Sequence, residues 1–194
     1  MRRWIACAVV IAATVAFAAA PRTYEVSRTD SDLSFSIVKW QVFKEAGRFR
    51  DFSGRMMYDA INPAASSIEV TVQAASIDTK NSTRDEVLRS DDFFDAARYP
   101  TLSFKSTRVR AVSEERLEVT GDLTIRGVTR QITIPVKRLG VGEVANEGEI
   151  AAFETEFTLD RTEFGVNGSR WSGGKLLLSK EVNIHLVIGG WNRR

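Results

Sequence analysis

The sequence predicts an all-β fold, either a sandwich or a closed barrel of about eight strands. From Tyr24 onward, apolar and polar residues alternate with the period of two that marks strands with one buried face. Turn signals such as Asn62-Pro63 separate the alternating segments. Helical features occur in one short stretch, so no second layer of helices is available to cover a sheet. The strands must therefore bury their apolar faces against one another.

Eight or nine segments follow this alternation. The clearest one runs from 117 to 126 and ends in a tight return at Gly127-Val128. Pro135 lies on the outward set of the next segment and cannot donate a ladder hydrogen bond, which predicts a free edge or a bulge there. The stretch 43–52, which contains Gly47, is interpreted as a turn. The residues expected to face inward include Leu33, Phe35, Ile37, Met56, Tyr58, Ile68, Val70, Val72, Leu102, Phe104, Leu117, Val119, Leu123, Ile125, Ile132, Ile134, Val136, Phe153, Phe157, Leu159, Val182, Ile184, Leu186 and Ile188.

One short helix is predicted between two of the strands. Thr83 and Glu86 have the spacing of a capping box, so the helix should begin near Arg84. Pro100 disfavours helical backbone at Tyr99 and restarts the chain as extended strand.

The segment 84–98 is predicted to form a lid across one end of the barrel. Three aromatic residues, Phe93, Phe94 and Tyr99, lie within seven positions, and Asp91, Asp92 and Asp95 are interleaved with them. We expect the aromatic rings to face inward and the carboxylates to face outward.

Residues 1–18 are predicted to be a secretory signal peptide, which leaves 19–194 as one domain. Arg2 and Arg3 precede an apolar run, and Ala16-Phe17-Ala18 offers a cleavage site with the small-x-small pattern. The run is shorter than the roughly 20 residues that a membrane span needs. Cys7, the single cysteine, lies inside this run. The exported domain would therefore have no thiol and would be stabilised by burial rather than by disulfides.

The charge balance argues against nucleic acid as a partner. The chain has 27 basic and 25 acidic residues, and Arg2 and Arg3 account for the excess. The remaining domain is near neutral, with no basic field to attract phosphates.

The sequence offers few components for catalysis or metal binding. His185, the only histidine, is predicted to lie on the surface because it alternates with Ile184 and Leu186. Without a thiol or a second histidine, zinc sites and nucleophile–base pairs lack their usual residues. The segment 91–95 spells DDxxD, a magnesium-binding pattern of prenyl-transferring enzymes, but those enzymes mount it on long helices opposite a second acidic motif. We expect no catalytic residue, no metal and no cofactor.

A barrel of about eight strands can be filled by its own side chains or can hold one slender ligand. Ala74, Gly121, Ala151 and Thr155 fall in or near the inward sets, where a filled core would prefer larger residues. Small inward residues favour a cavity, although tapering barrels also alternate small and large ones. The outward faces are too polar for stable insertion into a membrane.

Arginines are dense in two stretches of the chain. Arg48, Arg84 and Arg89 are the candidates to meet a polar or anionic head group at the barrel mouth, because a guanidinium forms forked hydrogen bonds. The alternative is that these arginines are solvated partners of nearby carboxylates.

The domain resembles the YceI-like family of lipid-binding periplasmic proteins. The residues that carry the resemblance are Gly47-Arg48-Phe49, Phe52-Ser53-Gly54, Ser76-Ile77-Asp78-Thr79, Arg84-Asp85, Leu88-Arg89-Ser90, Asp92-Phe93-Phe94-Asp95, Tyr99-Pro100, Phe104, the run 121–129, Arg161 and Phe164-Gly165-Val166. The resemblance implies a lipocalin-like antiparallel β-barrel in the periplasm, whose apolar tunnel holds a polyisoprenoid chain, such as an isoprenoid quinone tail, without catalysis.

The leading hypothesis is therefore transport or storage of an isoprenoid lipid. The residues expected to line the tunnel are Phe35, Ile37, Phe93, Phe94, Phe104, Leu123, Ile134, Phe153 and Phe157. Burial of a long apolar chain would give tight binding with few polar contacts. The alternatives are a stress-response structural or interaction module with a filled barrel, and an enzyme acting on a lipid held in the tunnel. Two copies could pair along the strand bearing Pro135.

Overall fold

The computed structural model describes residues 21–170 and 178–193, and these residues are mostly in strands. One α-helix, α1, spans Ser82–Arg89, and short 3-10 turns occur at Pro63–Ala65, Ala74–Ser76 and Arg161–Phe164. The strands are β1 Arg22–Val26, β2 Asp32–Lys39, β3 Phe43–Phe49, β4 Phe52–Tyr58, β5 Ser67–Gln73, β6 Ile77–Asp78, β7 Thr101–Ala111, β8 Arg116–Ile125, β9 Val128–Val144, β10 Gly148–Asp160 and β11 Leu178–Asn192. The predicted signal peptide, 1–18, lies outside the described residues.

Eight of these strands form a closed antiparallel barrel. The hydrogen-bonded order is β1-β4-β5-β7-β8-β9-β10-β11, and β11 pairs back to β1. The sequence left a sandwich and a barrel open, and the β1–β11 pairing decides for the barrel. The prediction of an all-β barrel of about eight strands with one helix is confirmed.

The wall of the barrel is built differently at its two ends because β11 changes partners. Residues 178–187 of β11 pair with β2, whereas Gly190 and Trp191 pair with β1. β3 and β6 extend the sheet beyond β2. We call the end with the β2–β3 turn and α1 the lid end, and the end with the β7–β8 and β9–β10 turns the far end.

The interpretation of 43–52 as a turn is wrong, because most of it forms β3. Gly47 lies within β3, opposite Phe35 of β2. A Cβ at Gly47 would lie 2.6 Å from Cζ of Phe35 and 2.8 Å from Cγ2 of Thr79. The glycine therefore makes room for an aromatic ring inside the barrel and does not mark a turn.

The helix begins two residues before the predicted start, and a different residue caps it. The side chain of Asn81 accepts a hydrogen bond from the backbone N–H of Arg84, at 3.0 Å, in place of the expected Thr83–Glu86 capping box. The helix ends at Arg89, so the rest of the predicted lid, 90–98, consists of turns and bends.

The structure agrees with the predicted free edge or bulge at Pro135, because Pro135 pairs with Glu118 of β8 but lies just beyond the end of the β9–β10 ladder. The β9–β10 ladder joins 137–144 to 148–154 and is interrupted by a register shift between Ala152 and Phe153. Pro135 lies outside this ladder, and its carbonyl accepts a hydrogen bond from Thr155 Oγ1 at 2.6 Å. Pairing of two copies along this edge stays a prediction.

Two clusters of apolar side chains pack inside the barrel. The larger one includes Tyr24, Met56 and Phe153 and lies toward the far end. The smaller one joins Phe93 of the lid to Phe164 at the lid end. Among the described residues, the helix is far too short and too polar to cross a bilayer.

Candidate functional site

A cavity of about 710 Å³ runs along the inside of the barrel. Leu117, near the far end of β8, and Ile125, at its lid end, both line the cavity. Eight residue steps at about 3.3 Å each separate them, so the row of lining residues on β8 is about 26 Å long. The cavity is therefore elongated, and its wall is mostly hydrocarbon.

All nine residues predicted to line the tunnel do lie on the cavity wall. They come from the lid and from strands on all sides of the barrel: Phe35, Ile37, Phe93, Phe94, Phe104, Leu123, Ile134, Phe153 and Phe157. Period-two alternation identified the seven strand residues, because alternate side chains of a barrel strand point to its axis. Phe93 and Phe94 were predicted from the aromatic lid segment instead. Contact with a ligand stays a prediction.

The small inward residues are not what makes the barrel hollow. Of the four, Thr155 alone lines the cavity, and Ala74 and Ala151 are buried elsewhere in the wall. A Cβ at Gly121 would lie 2.6 Å from Cζ of Phe104, so the ring of Phe104 already occupies that space. The void is therefore not explained by these four residues.

Aromatic rings line the cavity at the lid end, beside its polar opening. Phe49 contacts Phe35, with ring centroids 5.8 Å apart, and also Phe94, at 5.7 Å. Phe93 is only 3% exposed and packs with Phe164 and Val166. The inward orientation predicted for these two lid aromatics agrees with this packing.

The prediction that the lid carboxylates all face outward is wrong for Asp92. Its side chain is only 9% exposed and accepts hydrogen bonds from Ser169 Oγ, at 3.1 Å, and from the Arg170 N–H, at 3.0 Å. The Asp92 carbonyl accepts from the N–H of Gly168, at 2.9 Å. Asp92 therefore fastens the lid to the loop that follows β10.

A polar cluster lies at the cavity mouth, between β3 and the start of α1. Arg84 Nε donates to Thr79 Oγ1 at 2.8 Å, and Arg84 Nη2 donates to the Thr79 carbonyl at 2.9 Å. Arg84 also forms an ion pair with Glu45. The Thr79 hydroxyl in turn donates to the buried carboxylate of Asp85, at 2.6 Å. This network holds one partly exposed guanidinium on the cavity wall.

The other two predicted head-group arginines lie outside the cavity wall. Arg48 is on the outer face of β3 and pairs with Asp32 at 3.3 Å. Arg89 donates to the carbonyls of Ala75, at 2.8 Å, and Ile77, at 3.1 Å. Of the three candidates, the geometry supports Arg84.

Sequence reasoning did not identify Arg161 as a site residue, although the side chain lies on the cavity wall and is 8% exposed. Its guanidinium donates to four carbonyls, those of Ser179 at 2.9 Å, Val166 at 2.5 Å, Asn167 at 2.8 Å and Leu178 at 3.4 Å. Burial lowers the pKa of Arg161, and the neighbouring Asp160 opposes that shift. Backbone carbonyls are the same in every residue, so the sequence carries no signal for these partners.

The described residues contain no cluster of three or more His, Cys, Asp or Glu side chains arranged to hold a metal. Arg170 pairs with Asp91, so the DDxxD segment is engaged by a protein cation. His185 is 43% exposed, and its Nε2 lies 3.0 Å from Oε1 of Glu154. This places His185 on the outer surface, as predicted.

A closed antiparallel barrel with an elongated apolar cavity and a polar cluster at one end defines a class of small-ligand-binding barrel. The model of the YceI-like domain matches residues 24–189. The chain belongs to the YceI-like family.

Sequence relatives support this membership. The chain is 41% identical over 144 residues to Protein YceI of Escherichia coli O157:H7, and the aligned region covers 74% of this chain and 72% of that protein. It is 40% identical over 138 residues to a UPF0312 protein of Pseudomonas aeruginosa strain LESB58, and the aligned region covers 70% of this chain and 72% of that protein.

Solved structures share the same barrel. Burkholderia cenocepacia BcnA matches with a TM-score of 0.75 at 26% identity, over 84% of this chain and 98% of that one. A Campylobacter jejuni YCEI protein matches with a TM-score of 0.70 at 28% identity, over 79% and 88%. A polyisoprenoid binding domain from Saccharophagus degradans matches with a TM-score of 0.66 at 18% identity, over 87% and 97%, a likeness in fold.

Proposed function

We propose that the protein binds an isoprenoid lipid in the barrel cavity and transports or stores it in the periplasm without chemical change. The observation that carries this proposal is the elongated apolar cavity of about 710 Å³. The alternative of a barrel filled by its own side chains requires that this space be absent.

The shape and chemistry of the cavity favour a chain over a compact ligand. Its volume falls within the range of roughly 300–1,000 Å³ typical of small-molecule sites. An isoprenoid is a long, narrow hydrocarbon that would lie along the row of lining residues from Leu117 to Ile125. Each Å² of apolar ligand surface that leaves water contributes about 25 cal/mol, so affinity would come mainly from burial.

The polar end of the ligand would lie at Arg84. A guanidinium has five N–H donors, and Thr79 and Glu45 engage part of that set. The remaining donors could bind a carbonyl or phosphate oxygen of a head group. Arg84 is also about one third exposed, so a head group there would stay in contact with water.

The family and the structural neighbours support a lipid as the ligand class. The Saccharophagus degradans domain with the same fold is named for polyisoprenoid binding. Export to the periplasm is supported by the signal-peptide features of residues 1–18. A binding role in place of an enzymatic one is consistent with a cavity wall that is hydrocarbon along most of its length.

The direct test is to identify what the purified protein carries. Native mass spectrometry should show a mass above that of the polypeptide, and organic extraction should release an isoprenoid lipid that accounts for the difference. Recovery of no lipid by either method, together with failure to bind an added isoprenoid quinone or isoprenoid alcohol, would contradict the proposal.

Replacing Arg84 by Met should weaken binding of the extracted lipid by about tenfold, because a hydrogen bond to a charged group contributes about 1.5–3 kcal/mol. Titration of delipidated protein, followed by intrinsic fluorescence, measures the affinity. Arg48→Met is the matched control, since Arg48 lies on the outer face of the same barrel end. Equal affinities for the two variants would show that Arg84 does not contact the head group.

A further inference from the structure

The tip of the β2–β3 hairpin, residues 38–44, exposes more apolar side chain than a connecting turn requires. We call this segment the β2–β3 tip. Val42 is 75% exposed, Phe43 56%, Trp40 48% and Val38 41%. Trp40 and Phe43 contact each other edge to face, with ring centroids 5.9 Å apart. The tip therefore exposes four apolar side chains, and two of them, Trp40 and Phe43, pack together.

The backbone conformation of the tip is one that its residues do not favour. Trp40 and Gln41 both have positive φ, 53° and 59°, and the Val42 N–H donates to the Lys39 carbonyl at 3.2 Å. Two consecutive left-handed residues are usually Asn or Gly, because a side chain with a Cβ is strained there. A tryptophan in this position is unfavourable for the hairpin itself, and such local strain is typical of functional sites.

The charges at the tip have a single sign. Lys39 and Lys44 are its only charged residues. Nζ of Lys39 lies 4.2 Å from the centroid of the Trp40 ring. The next residue along the chain, Glu45, is neutralised by its ion pair with Arg84. Exposed apolar side chains flanked by lysines are complementary to a surface that has anionic groups on the outside and a hydrocarbon layer beneath them.

The tip is continuous with the cavity. Ile37, Lys39 and Glu45, which precede and follow the turn, all line the cavity. Asn81 and Thr83 face them across the mouth, are exposed and also line the cavity. Whatever surface the tip contacts will therefore lie next to the cavity mouth.

We propose that the β2–β3 tip docks the protein on an anionic phospholipid bilayer. Trp40, Val42 and Phe43 enter the boundary between head groups and acyl chains, where aromatic residues are favoured, and the two lysines contact lipid phosphates. This contact is peripheral. It orients the cavity mouth toward the membrane, and it does not depend on the lipid cargo proposed above.

The far end provides an internal control. Val112 is 53% exposed in the β7–β8 turn, and Leu139 is 46% exposed on β9. These side chains also expose hydrocarbon, but Glu114 and Glu115 lie beside Val112 in the same turn. Basic residues also flank this turn, and Arg138 pairs with Glu114. Because the charges there have both signs, we expect this end to bind an anionic bilayer more weakly than the tip.

Vesicle co-sedimentation tests the proposal. The native protein should bind vesicles of phosphatidylcholine with 30% phosphatidylglycerol, and binding should fall at high salt and with phosphatidylcholine alone. The triple variant W40S/V42S/F43S should bind at least about tenfold more weakly, because three apolar side chains no longer enter the bilayer. The variant V112S/L139S should bind like the native protein. Equal binding by the two variants, or no binding by the native protein, would overturn the proposal.

Site-specific labelling covers the case in which the triple variant fails to fold. Cys7 is the only cysteine, so C7S/V42C and C7S/V112C each carry one thiol for an environment-sensitive dye. We expect a blue shift with the anionic vesicles for V42C and none for V112C. A shift at both positions, or at V112C alone, would contradict docking through the tip. Sedimentation without lipid tests self-association. If the native protein is a dimer and W40S/V42S/F43S is a monomer, the tip mediates self-association and the proposal is overturned.

Discussion

Replacing Val119 by Trp should leave the barrel folded but remove its bound lipid. Val119 is 5% exposed, lines the cavity on β8 and lies between Val109 of β7 and Ile134 of β9. The indole has empty space to enter, so the ring should occupy part of the tunnel without displacing the wall. If it displaces about 100 Å² of buried ligand surface, the loss is roughly 2.5 kcal/mol at about 25 cal/mol per Å². The affinity should then fall by about fiftyfold to a hundredfold.

Native mass spectrometry and extraction of the V119W protein measure this effect, and far-UV circular dichroism reports the fold. The matched control is Gln131→Trp, which adds the same ring at an exposed position of β9. We expect the Q131W protein to carry lipid like the native chain. A V119W protein that keeps its full complement of lipid would place the ligand outside the barrel.

Replacing Arg161 by Met should lower the free energy of unfolding by about 3–5 kcal/mol, because one buried and three partly buried carbonyls lose their donor. Those carbonyls belong to two chain segments, 166–167 and 178–179. The midpoint of thermal unfolding should fall by about 10 °C for a domain of this size. Arg161 stays protonated across the ordinary pH range even though burial lowers its pKa. The loss should therefore be nearly independent of pH between about 5 and 9.

Two further variants separate the fork geometry of Arg161 from its charge. Arg161→Lys keeps the charge but cannot donate to both segments at once, so its stability should lie between those of the native chain and R161M. Arg108→Met removes an exposed arginine on β7 and should change stability by less than about 0.5 kcal/mol. Chemical denaturation of all four proteins gives the comparison. If R161M unfolds like R108M, the four hydrogen bonds of Arg161 contribute no net stability.

Local patterns were sufficient for much of the fold and of the tunnel. Phe35, Phe104 and Phe157 could be assigned to the interior because a strand has a period of two, whatever its neighbours are. The same patterns gave wrong predictions where a contact with a residue far away in the sequence determines the role of a residue. Gly47 resembles a turn residue in sequence, yet its lack of a side chain leaves space for the ring of Phe35 on another strand. Asp92 resembles an exposed acid, yet it accepts hydrogen bonds from a loop more than 70 residues later.

Sequence patterns predict that this chain is built from strands with one apolar face, which side chains turn to that face, and where a short helix interrupts them. These properties depend on the backbone geometry of single elements. The pairing of β1 with β11, which closes the sheet, and the open space inside the barrel are visible in the folded structure and not in the sequence. The tertiary structure also decided that Arg84, and neither Arg48 nor Arg89, reaches the cavity mouth. Closure and side-chain reach depend on contacts between residues far apart in the chain, which no local pattern records.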